Sequence, residues 1–260
     1  MFKTIVWASA LCMAAFPALA DQWSKTFSVG ATPELRIETS DANVTLRASD
    51  RKTIEARVYT SGWRIGPGDV HVTDHQTGDL VEIEVKVPTL HFNLGNRWVK
   101  IEVEIPSATK TGVHTGDGNI RADGLHGQAR LVTHDGNIDG TGFDGALEAS
   151  SGDGNIRVRG KFSGLSLRSG DGNIDAEVAP GSHMAAGWTV HTGDGGVTLR
   201  LPDGFGTNLD AHTGDGRITV DMPVTAEGGI HEDSVVGKIN GGGPVLTVRT
   251  GDGSVHIARL

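Results

Sequence analysis

Apolar residues alternate with polar ones along much of this 260-residue chain, and the alternating pattern itself returns about every 18 residues. The hexapeptide Ser-Gly-Asp-Gly-Asn-Ile occurs at 151–156 and again at 169–174. Taking its Asp as the reference, equivalent residues are Asp117, Asp135, Asp153, Asp171, Asp194, Asp215 and Asp252. Alternation by two positions is typical of strands with one buried face. The pattern therefore predicts a β-strand on each side of every Asp.

Two apolar positions per repeat carry this prediction. One lies four places before the reference Asp, and the other lies three places after it. Their members are Val113, Leu131, Ala149, Leu167, Val190, Ala211 and Val248, and then Ile120, Ile138, Ile156, Ile174, Val197, Ile218 and Val255. Each repeat is predicted to be strand, tight turn, strand and second turn. We expect the turn glycines to adopt positive φ and Leu125, Phe143 and Phe162 to fill the second turn from inside.

The repeats favour an all-β fold: a single-stranded β-solenoid, parallel β-helix-like, with coils of about 18–23 residues. In a solenoid equivalent residues stack on one another, which explains why the same residue recurs in every repeat. A meander of antiparallel hairpins, or a small barrel or sandwich, is the alternative. Fainter copies place Asp41 and Val236 at the reference position, and successive repeats are expected to form successive coils. The strand "GSVHIARL" is then expected at the end of the stack, where either "HEDSVVGKINGGGP" folds over it or the final ladder is open to a partner.

The chain divides into three predicted segments. Residues 1–20 have Lys3, an apolar run and Ala18-Leu19-Ala20, the pattern of a secretory signal peptide with its cleavage site. Residues 21–105 are predicted to form an N-terminal β region with opening coils and a cap, and residues 106–260 the regular solenoid repeats. Cys12 is the only cysteine and would leave with the signal peptide. The protein is therefore predicted to be periplasmic or secreted, without disulfides.

The net charge of the chain argues against two classes of partner. Removing Lys3 from the 23 Lys and Arg leaves 22 against 32 Asp and Glu, a net charge near −10. Nucleic acids and anionic membrane surfaces attract basic patches, so neither is an expected partner. After residue 20 no apolar run approaches the roughly 18 residues of a membrane span.

Three segments resemble a known family: "IEVEIPSATKTGVHTGDGNIRADGL", "SSGDGNIRVRG" and "HTGDGRITVDMP". An I-x-I-P strand followed by Thr/Ser-Gly-x-Gly-x-Ile units is similar to the bacterial putative-adhesin family of β-strand-repeat domains, whose function is unknown. The resemblance covers roughly residues 30–260. It implies an exported protein built as a solenoid-like stack of strands, and it brings no catalytic residues to this chain.

Calcium binding is one hypothesis for the role of the Asp-Gly-Asn turns. Residues 135–140 read D-x-N-x-D-G, the opening of an EF-hand loop, but Ala146 stands where that loop needs a bidentate Glu. Arg157 and Thr198 replace Asp139 in other repeats. Asp and Asn commonly serve turns, so we favour a turn role.

Histidines are the second candidate. His114, His191 and His212 share the place three before the reference Asp. His191 and His212 are expected in successive coils, where they would stack and offer two ligands to zinc or copper. No third ligand is evident, and Val132, Ser150, Arg168 and Arg249 fill the same place elsewhere. We favour a solvated surface row.

Catalysis by outward carboxylates and arginines is the third candidate, with Arg157, Arg168, Arg249, Asp175 and Asp210 as its residues. We expect these residues on different faces or distant coils, and no nucleophile motif is present. No catalytic, cofactor-binding or metal-binding residue is therefore assigned, and no cofactor is expected.

The predicted function is that of an exported, non-catalytic β-solenoid: an adhesin, or an envelope-associated binding or structural protein. The expected partner is a cell-envelope component, a glycan or a protein. The alternative is a cation-dependent or carbohydrate-active protein that uses the Asp-Gly-Asn repeat face. A structural spacer is a third reading.

Overall fold

The computed structural model describes residues 20–88 and 97–260, with only the backbone described for Ala20 and for residues 227–230. The predicted signal peptide, with Cys12, lies outside the described residues except for Ala20. The described residues form 21 strands and no helix, so they contain no helix of the length and hydrophobicity that a membrane crossing requires.

The strands alternate buried and exposed side chains, as the period-two pattern requires. In chain order they are β1 (Ala20–Ser28), β2 (Glu34–Thr39), β3 (Asn43–Ser49), β4 (Thr53–Ser61), β5 (His71–Thr77), β6 (Leu80–Lys86), β7 (Trp98–Pro106), β8 (Lys110–Thr115), β9 (Ile120–Asp123), β10 (His126–Thr133), β11 (Ile138–Ser150), β12 (Ile156–Arg168), β13 (Ile174–Val178), β14 (Trp188–His191), β15 (Val197–Leu201), β16 (Thr207–Thr213), β17 (Ile218–Val220), β18 (Val224–Ile230), β19 (Ser234–Ile239), β20 (Val245–Thr250) and β21 (Val255–Arg259).

The strands pair into two long columns. The pre-corner column, whose strands precede the Asp, has the order β5-β6-β2-β8-β10-β11-β12-β14-β20-β16-β19-β18. The post-corner column has the order β1-β4-β7-β3-β9-β11-β12-β13-β15-β21-β17. β11 and β12 bend through the second turn and belong to both. Pairing is parallel except at both ends of the pre-corner column and at the β1 end of the post-corner column. The predicted all-β solenoid is confirmed, because the strands of successive repeats stack in register in an open sheet.

A coil is one pre-corner strand, its Asp corner and the following post-corner strand. Along the stack the corners follow the order Asp41, Asp117, Asp135, Asp153, Asp171, Asp194, Asp252 and Asp215. The expectation that coils stack in chain order is therefore wrong at the C-terminal end. β20 lies between β14 and β16, and β21 lies between β15 and β17. The final strand is interior, and does not end the stack.

Three of the four column ends are antiparallel, and the fourth, where β17 pairs with β21, is parallel. The predicted worn copy at Val236 is wrong, because β19 runs antiparallel to β16 and covers its edge together with β18. At the other end β1 and β4 extend the post-corner column beyond β7, and β5 extends the pre-corner column beyond β6. β2 pairs with β8 across position 105; the predicted division at that position stays a prediction.

The core is built from the inward columns that the pattern identified. Every residue at the two apolar positions is buried, and so are the equivalent Ile37 and Val44 of the Asp41 coil. Leu125, Phe143 and Phe162 are buried as predicted. A row of aromatic rings runs along the stack, with centroids 6.2 Å apart for Phe143 and Phe162, 6.4 Å for Phe162 and Trp188, and 5.3 Å for Trp188 and Phe205. Burying such side chains contributes about 1.5–3 kcal/mol each.

Candidate functional site

In every corner from Asp117 onward, the glycine after the Asp permits the coils to stack closely. A Cβ added at Gly154 would lie 1.9 Å from the carbonyl oxygen of Gly136 in the preceding coil, and one at Gly136 would lie 2.0 Å from that of Gly118. The corner glycines do not have positive φ, so the expectation that they serve a left-handed turn is wrong. Positive φ occurs in the second turn instead, as at Gly142 (67°). The corner glycines are required because backbone passes directly over backbone.

A row of buried hydroxyls ties the corners together, two places before each Asp. Ser151 Oγ donates to the carbonyl of Gly136 at 2.8 Å and accepts from the N–H of Gly154 at 3.0 Å. The row continues through Thr115, Thr133, Ser169, Thr192, Thr250 and Thr213. Thr39 stands at its start, and its buried Oγ1 has no partner in the described structure. The hydroxyls thus satisfy backbone groups that the tight corner would otherwise bury unpaired.

Ser151→Ala is expected to lower the free energy of unfolding by about 1–3 kcal/mol, because the N–H of Gly154 and the carbonyl oxygen of Gly136 would each lose a buried hydrogen-bond partner. The matched control is Ser166→Ala, at an exposed, outward position, where little change is expected. Urea denaturation of both variants measures the difference. Equal stability of the two variants would contradict this role for the hydroxyl row.

The five corners from Asp41 to Asp171 have an asparagine two places after the Asp, and each of these asparagines is hydrogen-bonded to the next one along the stack. Asn155 donates from its backbone N–H (2.9 Å) and from Nδ2 (3.1 Å) to Oδ1 of Asn137, and Asn173 does the same to Asn155. The row also contains Asn43 and Asn119, and it ends where Gly196 donates its N–H to Asn173. These amides therefore serve the stack, with their Oδ1 atoms occupied by donors.

The aspartates form an exposed ridge along the corner edge of the stack. Burial, and then the negative charge of Asp117, raise the pKa of Asp41 above its usual value. Within the described residues, one oxygen each of Asp117 and Asp135 and one ring nitrogen of His134 lie within 4.8 Å of one another. His134 Nδ1 is 2.5 Å from Asp135 Oδ1, and both side chains are exposed.

The D-x-N-x-D-G segment does not gather its side chains around one point. The Asn137 amide is part of the asparagine row, and Asp139 lies 3.4 Å from Arg157 and 3.8 Å from Arg121. The second and third oxygen ligands that an EF-hand opening would supply are thus engaged elsewhere. The turn role favoured from the sequence agrees with these contacts.

The histidines do not stack as expected. Arg249 lies between His191 and His212 in the pre-corner column, because the last coil is inserted there. His212 Nε2 lies 2.9 Å from Asp210 Oδ1, while Arg249 donates to Asp210 Oδ2 at 2.6 Å. The hydrogen bond from Arg249 holds the pKa of Asp210 below its usual value. The predicted two-histidine pair is therefore wrong. A basic row of Arg168, His191, Arg249 and His212 stands in its place.

The residues considered for catalysis are divided between the two columns, as expected. Arg157 and Asp175 are register partners on the post-corner column, where Asp175 accepts a hydrogen bond from Arg200 at 2.6 Å. Arg168, Arg249 and Asp210 belong to the pre-corner column. His114 also lies on that column, four coils from His191 along the stack.

The outer face of the pre-corner column, hereafter the pre-corner face, contains three grooves in a line that sequence reasoning missed. Their volumes are about 360, 470 and 460 Å³. Arg36 borders the first and second, and Arg130 borders the second and third. Gly112 lines the second, between Arg36 and Arg130 in register, and we call it the Gly112 groove. The only signal in the sequence was a glycine at an outward strand position where other repeats carry side chains.

Comparison with known proteins finds one family. The profile of Toastrack DUF4097 matches residues 66–258, which is 193 of the 260 residues. No curated protein matches the chain.

Several solved structures are similar to it. A "putative cell adhesion protein" from Clostridium sporogenes is 14% identical, with 92% of this chain and 100% of that chain covered and a TM-score of 0.45. A "putative adhesin" from Bacteroides fragilis is 15% identical, with 92% and 97% covered and a TM-score of 0.46. A "putative lipid binding protein" from Parabacteroides distasonis is 14% identical, with 92% and 98% covered and a TM-score of 0.46.

Proposed function

We propose that this chain, which belongs to the Toastrack DUF4097 family, is an exported, non-catalytic binding protein of the bacterial cell envelope that acts through its pre-corner face. Export is supported by the signal-peptide pattern of residues 1–20, and periplasm or secretion follows from it. The expected partner is an envelope component, a glycan or a protein. A binding role without chemistry is supported by the separation of the candidate catalytic residues on two columns.

The basic row is the observation that carries this proposal. Among the described residues, the side chains of Arg168 and His191 make no hydrogen bond or ion pair, and the two residues are register partners on adjacent strands. Arg249 follows in the next strand, fixed by Asp210. Strand spacing places these groups about 4.8 Å apart. A chain with net charge −9 thus presents a local line of donors toward a ligand, held on a stiff sheet.

Removing one guanidinium from this row tests the proposal. Arg168→Ala is expected to weaken capture of envelope components on an array by about tenfold, a loss of about 1.4 kcal/mol. Its stability should hold, because Arg168 is exposed and makes no contact that the fold depends on. Binding of the purified mature chain is measured beside its circular dichroism.

Arg157→Ala is the matched control, since it removes the same side chain from the post-corner column. An equal loss of binding in both variants would place the contact elsewhere than the pre-corner face. Absence of any bound envelope component in the wild-type screen would refute the binding role itself.

A further inference from the structure

The backbone geometry does not require a glycine at position 112. It lies in the middle of β8, its φ is not positive, and an added Cβ would come no closer than 3.9 Å to any atom, the carbonyl oxygen of Leu35. Among the described glycines without positive φ, Gly112 alone has this much room. Glycine weakens a strand interior, and where it persists it often marks a place where a ligand approaches closely. Its absent side chain therefore needs an explanation outside the fold.

The missing side chain opens the Gly112 groove. Arg36 of β2 and Arg130 of β10 are the register partners of Gly112 on either side. They are two strand spacings, or about 9–10 Å, apart along the stack. Their long side chains form the two walls, and the strand of Gly112 forms the floor. The volume of about 470 Å³ is within the range of small-ligand sites.

Hydrogen-bonding groups of both kinds surround this floor. At one end, Glu34 accepts from Arg36 at 2.8 Å and lies 3.4 Å from Lys110. The hydrogen bond from Arg36 lowers the pKa of Glu34, so its carboxylate stays an acceptor. At the other end, Glu38 and His114 are register partners, and the side chain of neither makes a hydrogen bond or ion pair within the described residues.

One apolar side chain completes the Gly112 groove. Val132 of β10 faces outward next to His114, and it is half-buried. The groove thus offers fixed charged donors, fixed charged acceptors and a small apolar surface. A sugar ring matches this set, because it carries hydroxyls that both donate and accept at its rim and C–H groups on its faces. A polyanion would meet the carboxylates of Glu34 and Glu38.

We propose that the Gly112 groove binds one ring of an oligosaccharide that lies along the stack axis, with Arg36 and Arg130 on either side of the ring. The neighbouring grooves, one bordered by Arg36 and the other by Arg130, would take the adjoining rings. This inference rests on the proposed function and names the ligand class of the same face.

The test is a microarray of peptidoglycan-derived and lipopolysaccharide-core oligosaccharides, probed with the purified mature chain and its variants. Gly112→Leu fills the groove and is expected to weaken binding of the strongest saccharide by about thirtyfold. Thr247→Leu is the matched control: it places the same side chain in the same outward column, outside the three grooves. It should bind as the wild type does.

Two further measurements keep the test decisive. The melting temperatures of the two leucine variants show whether both fold. If Gly112→Leu does not fold, Arg130→Ala, which removes one wall of the groove, is used instead and is expected to weaken saccharide binding. Unchanged saccharide binding by these groove variants would overturn the site and leave the binding function standing. Binding of an envelope protein but no saccharide, with loss in Arg168→Ala, would overturn the ligand class alone.

Discussion

Truncation of the chain after Pro244 is expected to unfold the C-terminal half of the stack, although it removes only the last 16 residues. These residues form β20 and β21, which fill the space between the Asp194 and Asp215 coils in both columns. Their inward side chains, Leu246, Val248, Val255 and Ile257, are fully buried. At about 1.5–3 kcal/mol each, they contribute about 6–12 kcal/mol, comparable with the entire stability of a typical domain, about 5–15 kcal/mol.

A stack in chain order would respond differently, since the same truncation would remove an end coil and leave its neighbour as the new end. Deletion of Leu260 alone is the control, because this residue is 48% exposed. Urea denaturation followed by circular dichroism, with limited proteolysis of the folded chains, distinguishes the two outcomes. A truncated chain that unfolds cooperatively at the wild-type midpoint would contradict the inserted coil.

Gly154→Ala is expected to destabilise the protein by about 3–5 kcal/mol, at the extreme of single substitutions. Its new methyl group would lie 1.9 Å from the carbonyl oxygen of Gly136 and 2.8 Å from Ser151 Oγ. The Gly136 backbone cannot retreat easily, because the next corner lies equally close to it on the far side, with the Cβ position of Gly136 2.0 Å from the Gly118 oxygen. The coils must therefore separate locally and lose hydrogen bonds of the hydroxyl row.

Gly112→Ala is the matched control for that substitution. It adds the same methyl group to the same kind of stack, but with 3.9 Å of clearance, and it removes the conformational cost of a strand glycine. A gain of about 0.5–1 kcal/mol is expected. Both variants are compared by urea denaturation. Similar stabilities in the two proteins would show that close coil contact is not what the corner glycine serves.

The two glycines also connect stability with the proposed binding. At Gly154 the backbone of the neighbouring coil occupies the space of a side chain, whereas at Gly112 the space is open to solvent and bordered by Arg36 and Arg130. The first is a requirement of stacking. The second has a stability cost that stacking does not explain, and the open space beside it is the proposed ligand site.

The sequence by itself determined the local structure and the existence of a stack. Alternation at positions such as Leu131, Ile138 and Ile156 identified the strands and their buried faces, because side chains of a strand point to opposite sides. The period of 18 predicted coils, and Phe143 and Phe162 were correctly placed inside the second turn. These features depend on residues that are close together in the chain, or on a repeat that is visible in the sequence.

Only the tertiary structure decided which coils are neighbours. Corners with nearly the same residues can form nearly the same hydrogen bonds. The local sequences around Asp194, Asp215 and Asp252 therefore do not distinguish a stack in chain order from a stack in which the last coil is inserted between two earlier ones. That choice is made by long-range packing: β19 and β18 cover the outer edge of β16, and the open space beside β14 receives β20. The basic row depends on this packing, because the inserted β20 places Arg249 between His191 and His212. The Gly112 groove depends on a different long-range pairing, in which β2 brings Arg36 beside Gly112 of β8.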